Sequence, residues 1–390
     1  MHILHVTPYF PPTWSYGGIP RVVDALARAQ HVLEAKVSVI TTDAYSDEER
    51  ANVPWQRDYE GVSVHTLPNI SNRLAFSQQL FLPNHTTAVL STLSKIDIIH
   101  LHGHRHLLNT AAAKWARANS IPYVMTANGT LKRHERKRRF KWFWDHLFAG
   151  HIPPNAECCI AVSGKDVQQH LDYGIEKKRI HCIANGLDLN QFENLPETFA
   201  FNNKQSQDAP ILTYLGQLSP RKGVDHLIES FSALNHPTAW LMIAGNNAGS
   251  YGQYLRKTTT HPRIQFTGVL RGPTRLKLLQ QSDGVIYPSK DEIFGLVPFE
   301  ALMCGTPVIV GNDSGCGELI REANAGMLVP YGDTVALSTA LSTLLSASDK
   351  MKVLVANGQQ YTRRFLCSEH IAQQHLRLYK RIISSNGDAS

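Results

Sequence analysis

The chain of 390 residues has little of what membrane and secreted proteins carry. No stretch of eighteen uncharged apolar residues occurs, so no transmembrane helix is expected. The opening residues, M-H-I-L-H-V, lack a basic region, which favours a first buried strand over a signal peptide. The six cysteines form no C-x-x-C pair, and Cys158 and Cys159 are adjacent. Neither a disulfide framework nor a structural zinc site is predicted, and a reducing compartment is expected.

A glycine fingerprint is also missing. Dinucleotide-binding domains carry G-x-G-x-x-G directly after their first strand, and neither strand-to-helix start in this chain has it. This absence disfavours an oxidoreductase. Internal repeats and low-complexity tracts are absent too. Hydrophobic residues make up 43% of the chain and charged residues 18%, which is typical of a globular protein with room for two or three domains.

Apolar runs of strand length alternate with helical patterns in both halves of the chain. This alternation predicts an α/β fold with two βαβ domains and parallel sheets. A polar, proline-containing segment between the halves is the predicted linker. Ligands of such sheets bind beyond the carboxyl ends of the strands. The predicted boundaries are 1–195 for the first domain, 196–209 for the linker, 210–367 for the second domain and 368–390 for a final helical segment.

The most informative segment runs from Pro288 to Ile309. Glu292 lies in a loop after an apolar strand, and Glu300 is predicted to open an amphipathic helix that ends at Gly305. A helix N-terminus offers free N–H groups to an anion, and a carboxylate accepts hydrogen bonds from sugar hydroxyls. The segment therefore predicts a site for a ligand with phosphates and hydroxyls. The alternative is a glutamate that only caps its helix.

The run E-I-F-G-L-V-P-F-E-A resembles the E-x7-E signature of retaining nucleotide-sugar glycosyltransferases of group 1, which have the GT-B fold. The resemblance implies two Rossmann-like domains that face each other across a cleft. The first would be the acceptor side, the second would bind the nucleotide sugar, and the final helix would pack back towards the first. Glu292 would hold hydroxyls of the donor sugar and Glu300 those of the ribose. Phe294, Gly295 and Leu296 belong to the same donor-binding segment.

The second domain is predicted to open with a strand, a glycine turn, two cations and a helix. Cations beside a helix N-terminus suit a diphosphate. The segment G-Q-L-S-P-R-K-G resembles the family pattern G-R-L-x-x-x-K-G, in which arginine and lysine bind the donor pyrophosphate. Lys222 matches the lysine, and Gln217 stands where the arginine is usual. Arg221 is the candidate for the missing charge, and solvated loop residues are the alternative.

Two glycines, Gly17 and Gly18, precede the first predicted helix. Paired glycines let backbone N–H groups approach a phosphate or a sugar closely. The pair resembles the family's G-G-x-x-R loop, which closes on the donor and helps to bind the acceptor. A plain turn before a helix is the alternative.

Four histidines alternate in the run H-L-H-G-H-R-H at the end of a predicted strand. On one strand face they would suit a metal. The resemblance instead implies that one histidine lies near the reacting sugar. His102 is the match and His100 the alternate, whereas His104 and His106 are predicted loop residues. An imidazole there could act as a general base, and no metal is predicted.

The formal net charge of +7 is concentrated in one run. Between Lys132 and Lys141 lie seven basic residues and one acidic residue, followed by the aromatic segment Trp142–Trp144. Basic and aromatic residues together suit an anionic membrane surface or an acceptor that carries phosphate. A solvated helix face is the alternative, and nucleic acid, although compatible with such a run, is not expected as a partner.

These patterns predict transfer of a hexose from a nucleotide diphosphate sugar to an acceptor hydroxyl, with retention, and with Lys222, Glu292 and His102 as catalytic residues. Neither a metal nor another cofactor is predicted. The predicted partners are the nucleotide-sugar donor, a glycan or lipid-linked acceptor, and an anionic membrane surface through Lys132–Trp144. Bacterial surface polysaccharide or lipopolysaccharide assembly, in the cytoplasm or at the inner face of the plasma membrane, is the expected setting. The alternatives are a nucleotide-sugar epimerase and a non-catalytic sugar- or nucleic-acid-binding protein.

Overall fold

The computed structural model describes residues 1–46, 49–93, 95–132, 144–193, 195, 209–246 and 249–387. The chain forms two compact units, one from Met1–Gly186 with Cys367–Ser390 and the other from Leu187–Leu366. The predicted linker lies outside the described residues apart from Ala209. Residues 133–143, which hold most of the basic run, also lie outside them.

The first unit is built on one mostly parallel sheet. Its strands are β1 (His2–Val6), β2 (Lys36–Thr42), β3 (Gln56–Tyr59), β4 (Val62–Leu67), β5 (Ile98–His102), β6 (Tyr123–Thr126), β7 (Cys158–Ala161) and β8 (Ile180–Cys182). Their spatial order is β3-β4-β2-β1-β5-β6-β7-β8, and β3 pairs antiparallel with β4. Every residue of β1 and β5 is buried, as expected for central strands with helices on both faces.

Helices cover both faces of this sheet. They are α1 (Ile19–Val32), α2 (Asn72–Gln78), α3 (Thr86–Thr92), α4 (Leu107–Ala118), α5 (Ile152–Asn155) and α6 (Gly164–Tyr173). Neighbouring strand residues face opposite layers because side chains alternate along a strand. Ile3 packs in the layer that contains Leu26 of α1, whereas Leu4 packs in the layer that contains Ala112 of α4.

The second unit contains a smaller, fully parallel sheet. Its strands are β9 (Ile211–Leu215), β10 (Trp240–Ala244), β11 (Ile264–Gly268), β12 (Gly284–Tyr287), β13 (Val308–Gly311) and β14 (Met327–Val329). The spatial order is β11-β10-β9-β12-β13-β14. The helices are α7 (Val224–Ala233), α8 (Ser250–Thr258), α9 (Gly272–Gln280), α10 (Leu296–Met303), α11 (Gly315–Glu322), α12 (Thr334–Ser346) and α13 (Ser348–Phe365). The predicted fold class, two α/β domains with parallel sheets, is confirmed.

The last helix, α14 (Ser368–Gly387), belongs to the first unit and packs on α1. Its Ile371 and Tyr379 are buried in the same core layer as Ile3. The first unit therefore draws its core from two separated parts of the sequence. None of the helices in the described part of the chain is long and apolar enough to span a bilayer.

Candidate functional site

The strand order of the second sheet reverses between β9 and β12, and the loops after these strands hold the predicted donor residues. Ligands of open α/β sheets bind at such a reversal, beyond the carboxyl ends of the strands. The loop after β9 contains the turn Pro220–Lys222 and leads into α7. Gly223 has a φ of 65°, and a Cβ there would lie 2.7 Å from the carbonyl oxygen of Pro288. Glycine thus lets the two loops touch.

Lys222 and Glu292 meet where these loops touch. The Lys222 ammonium forms an ion pair with Glu292 and donates a hydrogen bond of 2.9 Å to the hydroxyl of Tyr287. That hydroxyl donates in turn to Oε2 of Glu292 over 3.1 Å. Lys222 is 6% exposed, and the Glu292 side chain is 19% exposed. Three groups, two from loops and Tyr287 from the end of β12, therefore form one small polar cluster that solvent reaches through the carboxylate.

The protonation states of Glu292 and Tyr287 are set by burial and by their neighbours. Burial would raise the pKa of the Glu292 carboxyl, but the charge and hydrogen bond of Lys222 outweigh burial and bring the pKa below its ordinary value. Burial raises the pKa of the Tyr287 hydroxyl, which therefore stays protonated. At neutral pH the site contains a carboxylate and a hydroxyl that can donate.

Gly295 lets Glu292 sit close to the start of α10. Its φ is 76°, and a Cβ there would lie 3.3 Å from Cγ of Glu292 and 3.2 Å from Cβ of Cys316. Phe294 is buried with its ring 5.7 Å from that of Phe299, and Leu296 is the first residue of α10. The segment thus turns sharply, and a larger residue at its glycine would push the carboxylate away.

The prediction that Glu300 opens its helix is wrong. The helix begins at Leu296, so Glu300 lies in its second turn. The cause is Gly295, whose left-handed backbone starts the helix earlier, with Pro298 tolerated in the first turn, where helix N–H groups lack partners within the helix.

Glu300 is fully buried and forms an ion pair with Arg275 of α9. Arg275 is 9% exposed and also donates to Oε1 of Gln191 over 3.3 Å. Burial lowers the pKa of Arg275 to about 10, which leaves it charged at neutral pH. Glu300 thus has a dedicated cation. Arg275 was not predicted, because a single arginine on a helix has no distinguishing sequence pattern.

Gln217 and Arg221 lie in the loop after β9, and both are exposed. The carbonyl oxygen of Gln217 accepts a hydrogen bond of 2.8 Å from the Tyr214 hydroxyl, which fixes the loop. The carbonyl oxygen of Arg221 accepts one of 2.8 Å from the amide of Lys290, in the loop after β12. The Arg221 charge also helps to lower the pKa of Glu292. Positive charge is therefore present near the carboxylate despite the glutamine.

In the first unit, Gly17 and Gly18 are exposed and precede α1. Gly17 has a φ of 98°, and a Cβ there would meet no atom within 4 Å. Glycine is needed at this position for its backbone conformation and not for lack of space. The loop leaves open room for a ligand beside the start of the helix.

His102 ends β5 inside a buried cluster of histidines. The side-chain oxygen of Gln30 can only accept, so Nε2 of His5 donates to it over 2.7 Å. Nδ1 of His5 is then an acceptor and takes a hydrogen bond of 2.9 Å from Nε2 of His102. Nδ1 of His102 remains as an acceptor, and among the described residues nothing donates to it. Burial lowers the pKa of both histidines, to about 4 for His5, so both are neutral at pH 7.

His100 extends the same cluster. Its Nε2 lies 2.7 Å from Oγ1 of Thr126, and its Nδ1 lies 2.7 Å from the Tyr379 hydroxyl of α14. One ring nitrogen from each of His5, His100 and His102 falls within 4.8 Å of the others, a spacing that could hold a metal. However, His5 and His100 use both ring nitrogens in hydrogen bonds, so a metal would have to displace those bonds.

The loop after β5 holds a charged group that the sequence did not reveal. Arg105 donates two hydrogen bonds of 2.8 Å to the carboxylate of Asp145. His104 lies 3.3 Å from the same carboxylate. His106 is 6% exposed, packs against Phe81 with ring centroids 5.5 Å apart, and has no hydrogen-bond partner for either nitrogen among the described residues. Both histidines are loop residues, as predicted.

Family models match both halves of the chain. Residues 197–361 match the model described as "Glycosyl transferases group 1", and residues 16–191 match that of "Glycosyltransferase Family 4". The chain is a glycosyltransferase, with its second half matching the group 1 family and its first half matching Family 4. This transferase is 26% identical to a D-inositol 3-phosphate glycosyltransferase of Jonesia denitrificans over 98% of this chain and 95% of the relative.

Solved structures show that the transferase has the GT-B fold. Sucrose-phosphate synthase from Thermosynechococcus elongatus superposes with a TM-score of 0.78 at 21% identity, over 98% of this chain and 99% of the other. HepE of Anabaena, solved with UDP-glucose, superposes with a TM-score of 0.74 at 20% identity, over 99% and 100%. The predicted family and fold are therefore confirmed, and the protein is a glycosyltransferase.

The transferase brings most of the predicted donor residues to one edge of its second sheet. Lys222 and Glu292 are in contact, Gln217, Arg221, Phe294 and Gly295 lie in the same two loops, and Leu296 begins α10. Glu300 lies deeper, beneath Arg275. The sequence missed Tyr287, the last residue of β12, because a tyrosine that ends an apolar strand looks like part of the core.

Proposed function

We propose that the transferase moves a hexose from a nucleoside diphosphate sugar to an acceptor hydroxyl, with retention at the anomeric carbon. The contact between Lys222 and Glu292 at the strand reversal of the second sheet supports this most directly. In this contact an ammonium, which suits phosphates, lies beside a carboxylate, which accepts hydrogen bonds from hydroxyls. Phosphates and hydroxyls are the two polar parts of such a donor. HepE was solved with UDP-glucose, which makes this the first donor to test.

Departure of the nucleoside diphosphate requires stabilisation of its growing negative charge. Lys222, the exposed Arg221 and the N-terminus of α7 would supply that stabilisation without a metal. Preorganised charges cost no rearrangement when the bond breaks. In this proposal the lysine is the main contributor, because its ammonium already lies at the site, beside Tyr287 and Glu292.

The two glutamates would recognise the two hydroxyl-bearing parts of the donor. Glu292 would accept hydrogen bonds from the sugar, and Glu300 from the ribose. Because Glu300 is fully buried against Arg275, this second contact requires its surroundings to change when the donor binds. His102 would use its unprotonated Nδ1 to accept a hydrogen bond from a hydroxyl, with its Nε2 held by His5.

The acceptor proposal rests on the basic run. Seven basic residues between Lys132 and Lys141, next to aromatic residues, suit a lipid-linked or glycan acceptor at an anionic membrane surface, as in bacterial surface polysaccharide assembly. Sedimentation with vesicles that contain anionic lipid tests this. Neutralising Arg136, Lys137, Arg138 and Arg139 should abolish co-sedimentation, and equal sedimentation of both proteins would refute it.

Thermal unfolding with UDP, GDP, ADP and NAD, each with EDTA, tests the donor site. A ligand at 100 times its dissociation constant stabilises the native state by about 2.7 kcal/mol. We expect a shift with one nucleoside diphosphate that persists in EDTA and disappears in Lys222→Ala. Release of the nucleoside diphosphate from the matching donor only when an acceptor is added would separate the transferase from an epimerase. A shift only with NAD, or with none of the four, contradicts the proposal.

A further inference from the structure

Lys222 and Glu292, the two groups that would bind the proposed donor, are already bonded to each other. The ammonium gives one N–H to Glu292 and another to Tyr287. The carboxylate receives hydrogen bonds from both. Lysine has three N–H donors, so an arriving diphosphate finds only one uncommitted. Binding of the donor therefore means an exchange of partners.

The exchange differs between substrate and product. A nucleoside diphosphate sugar brings hydroxyls, which can replace Lys222 as hydrogen-bond donors to Glu292. A nucleoside diphosphate without the sugar draws Lys222 away from Glu292 and brings no sugar hydroxyl to donate a hydrogen bond to that carboxylate in its place. Because the carboxylate is largely buried, leaving it short of a partner is costly. The ion pair thus weakens binding of the product more than binding of the donor.

We propose that Glu292 has a second role: it competes with the diphosphate for Lys222 and takes the lysine back when the product nucleotide leaves. This inference rests on the proposed function. Tyr287 supports the exchange because its hydroxyl touches both groups, so it can keep its bond to Glu292 when the lysine turns to the phosphates. Burial keeps that hydroxyl protonated and able to donate.

Calorimetric titration of the recognised nucleoside diphosphate, and of its sugar conjugate, tests the inference. In Glu292→Gln the ion pair is gone and the side chain keeps its size. We expect this variant to bind the nucleoside diphosphate about tenfold more tightly than the native protein, because a charge-assisted hydrogen bond no longer has to be given up. The nucleotide sugar should bind no more tightly. Glu292→Ala provides a second variant with the same expectation.

Asp313→Asn is the matched control. Asp313 lies in the loop after β13, the strand next to β12, and its Oδ1 has no hydrogen-bond partner in the part of the chain that the structure describes. The control removes one negative charge from the same edge of the sheet and leaves the Lys222–Glu292 pair intact, so we expect less than about a twofold change in affinity for the diphosphate.

The outcomes separate the inference from the proposed function. Unchanged or weaker diphosphate binding in both Glu292 variants would overturn the inference alone, and so would equal tightening in Asp313→Asn. Failure of the native protein to bind any nucleoside diphosphate or sugar nucleotide would overturn the proposed function, and the inference with it. Stronger product inhibition in Glu292→Gln, measured where residual activity permits, is the corresponding kinetic expectation.

Discussion

Two glutamates eight positions apart in the second unit each meet one cation, and the two pairs differ in their surroundings. Glu292 and Lys222 lie on loops, and the carboxylate is 19% exposed. Glu300 and Arg275 lie on packed helices, and the carboxylate is fully buried. A partly exposed pair on loops can exchange its partners, whereas a buried pair on helices is costly to break. The same residue types therefore serve ligand exchange in one place and charge compensation in the other.

Breaking the buried pair should have the largest effect. Arg275→Met leaves the Glu300 carboxylate buried without its cation, and we expect the second unit to lose about 3–5 kcal/mol of stability in urea unfolding. Arg275→Met/Glu300→Leu should recover most of that loss, because it removes both charges. Lys222→Met is the matched control and should lose about 1 kcal/mol, because Glu292 reaches solvent and keeps the Tyr287 hydroxyl as a hydrogen-bond donor. Equal losses in the two single variants would contradict the distinction between the pairs.

Breaking the exchangeable pair should instead cost activity. Lys222→Ala removes the proposed stabilisation of the leaving diphosphate, and we expect kcat/KM to fall about 100-fold or more, on the scale of losing one oxyanion-stabilising donor. Steady-state kinetics with the donor found by thermal unfolding is the measurement. The urea midpoint should stay close to that of the native protein. An active Lys222→Ala variant would show that the lysine is not part of the donor site.

Acid should distinguish the two ion pairs from the histidine cluster. Burial lowers the pKa of His5 and of His375 to about 4, below the value of about 6.5 expected for an unfolded chain. As the pH drops from about 6.5 towards 4, these histidines bind protons in the unfolded state but not in the folded state. The free energy of unfolding therefore falls over this range. The Glu292 pKa lies below its ordinary value because of Lys222, so this carboxylate stays charged through most of this range.

Urea unfolding at several pH values measures this loss. The decline should arise in the first unit, and His375→Gln should make it shallower because one buried titrating group is removed. A flat profile between pH 6.5 and 5 in the native protein would mean that these histidines are not held neutral by burial.

Sequence patterns predicted the parts of this protein that are local. The alternation of strands and helices gave the two sheets, and strand-turn-helix punctuation placed Lys222 and Glu292 in loops that do meet. The start of α10 was wrong because the left-handed backbone of Gly295 cannot be read from residue types alone. Arg275 and Tyr287 were not predicted, because each is recognised only by its contact with a glutamate, and folding brings those contacts together.

The histidine run shows the same limit more sharply. Alternation on a strand correctly indicated that His100 and His102 share a face, but the partners of these rings come from elsewhere: His5 from β1, Gln30 from α1 and Tyr379 from α14. Which nitrogen carries a hydrogen follows from those partners. A sequence read without its fold therefore cannot assign the chemical state of His102.

The placement of α14 in the first unit has a consequence for biosynthesis. A ribosome makes the strands of the first sheet, then the entire second unit, and only afterwards the helix that supplies Tyr379 and Ile371 to the first core. Domains commonly fold in order from the N-terminus during synthesis. Here the second unit is complete first, and one face of the nascent first sheet is covered by α1 but lacks α14 until the residues of that helix emerge. That interval is when the chain has most to gain from a chaperone.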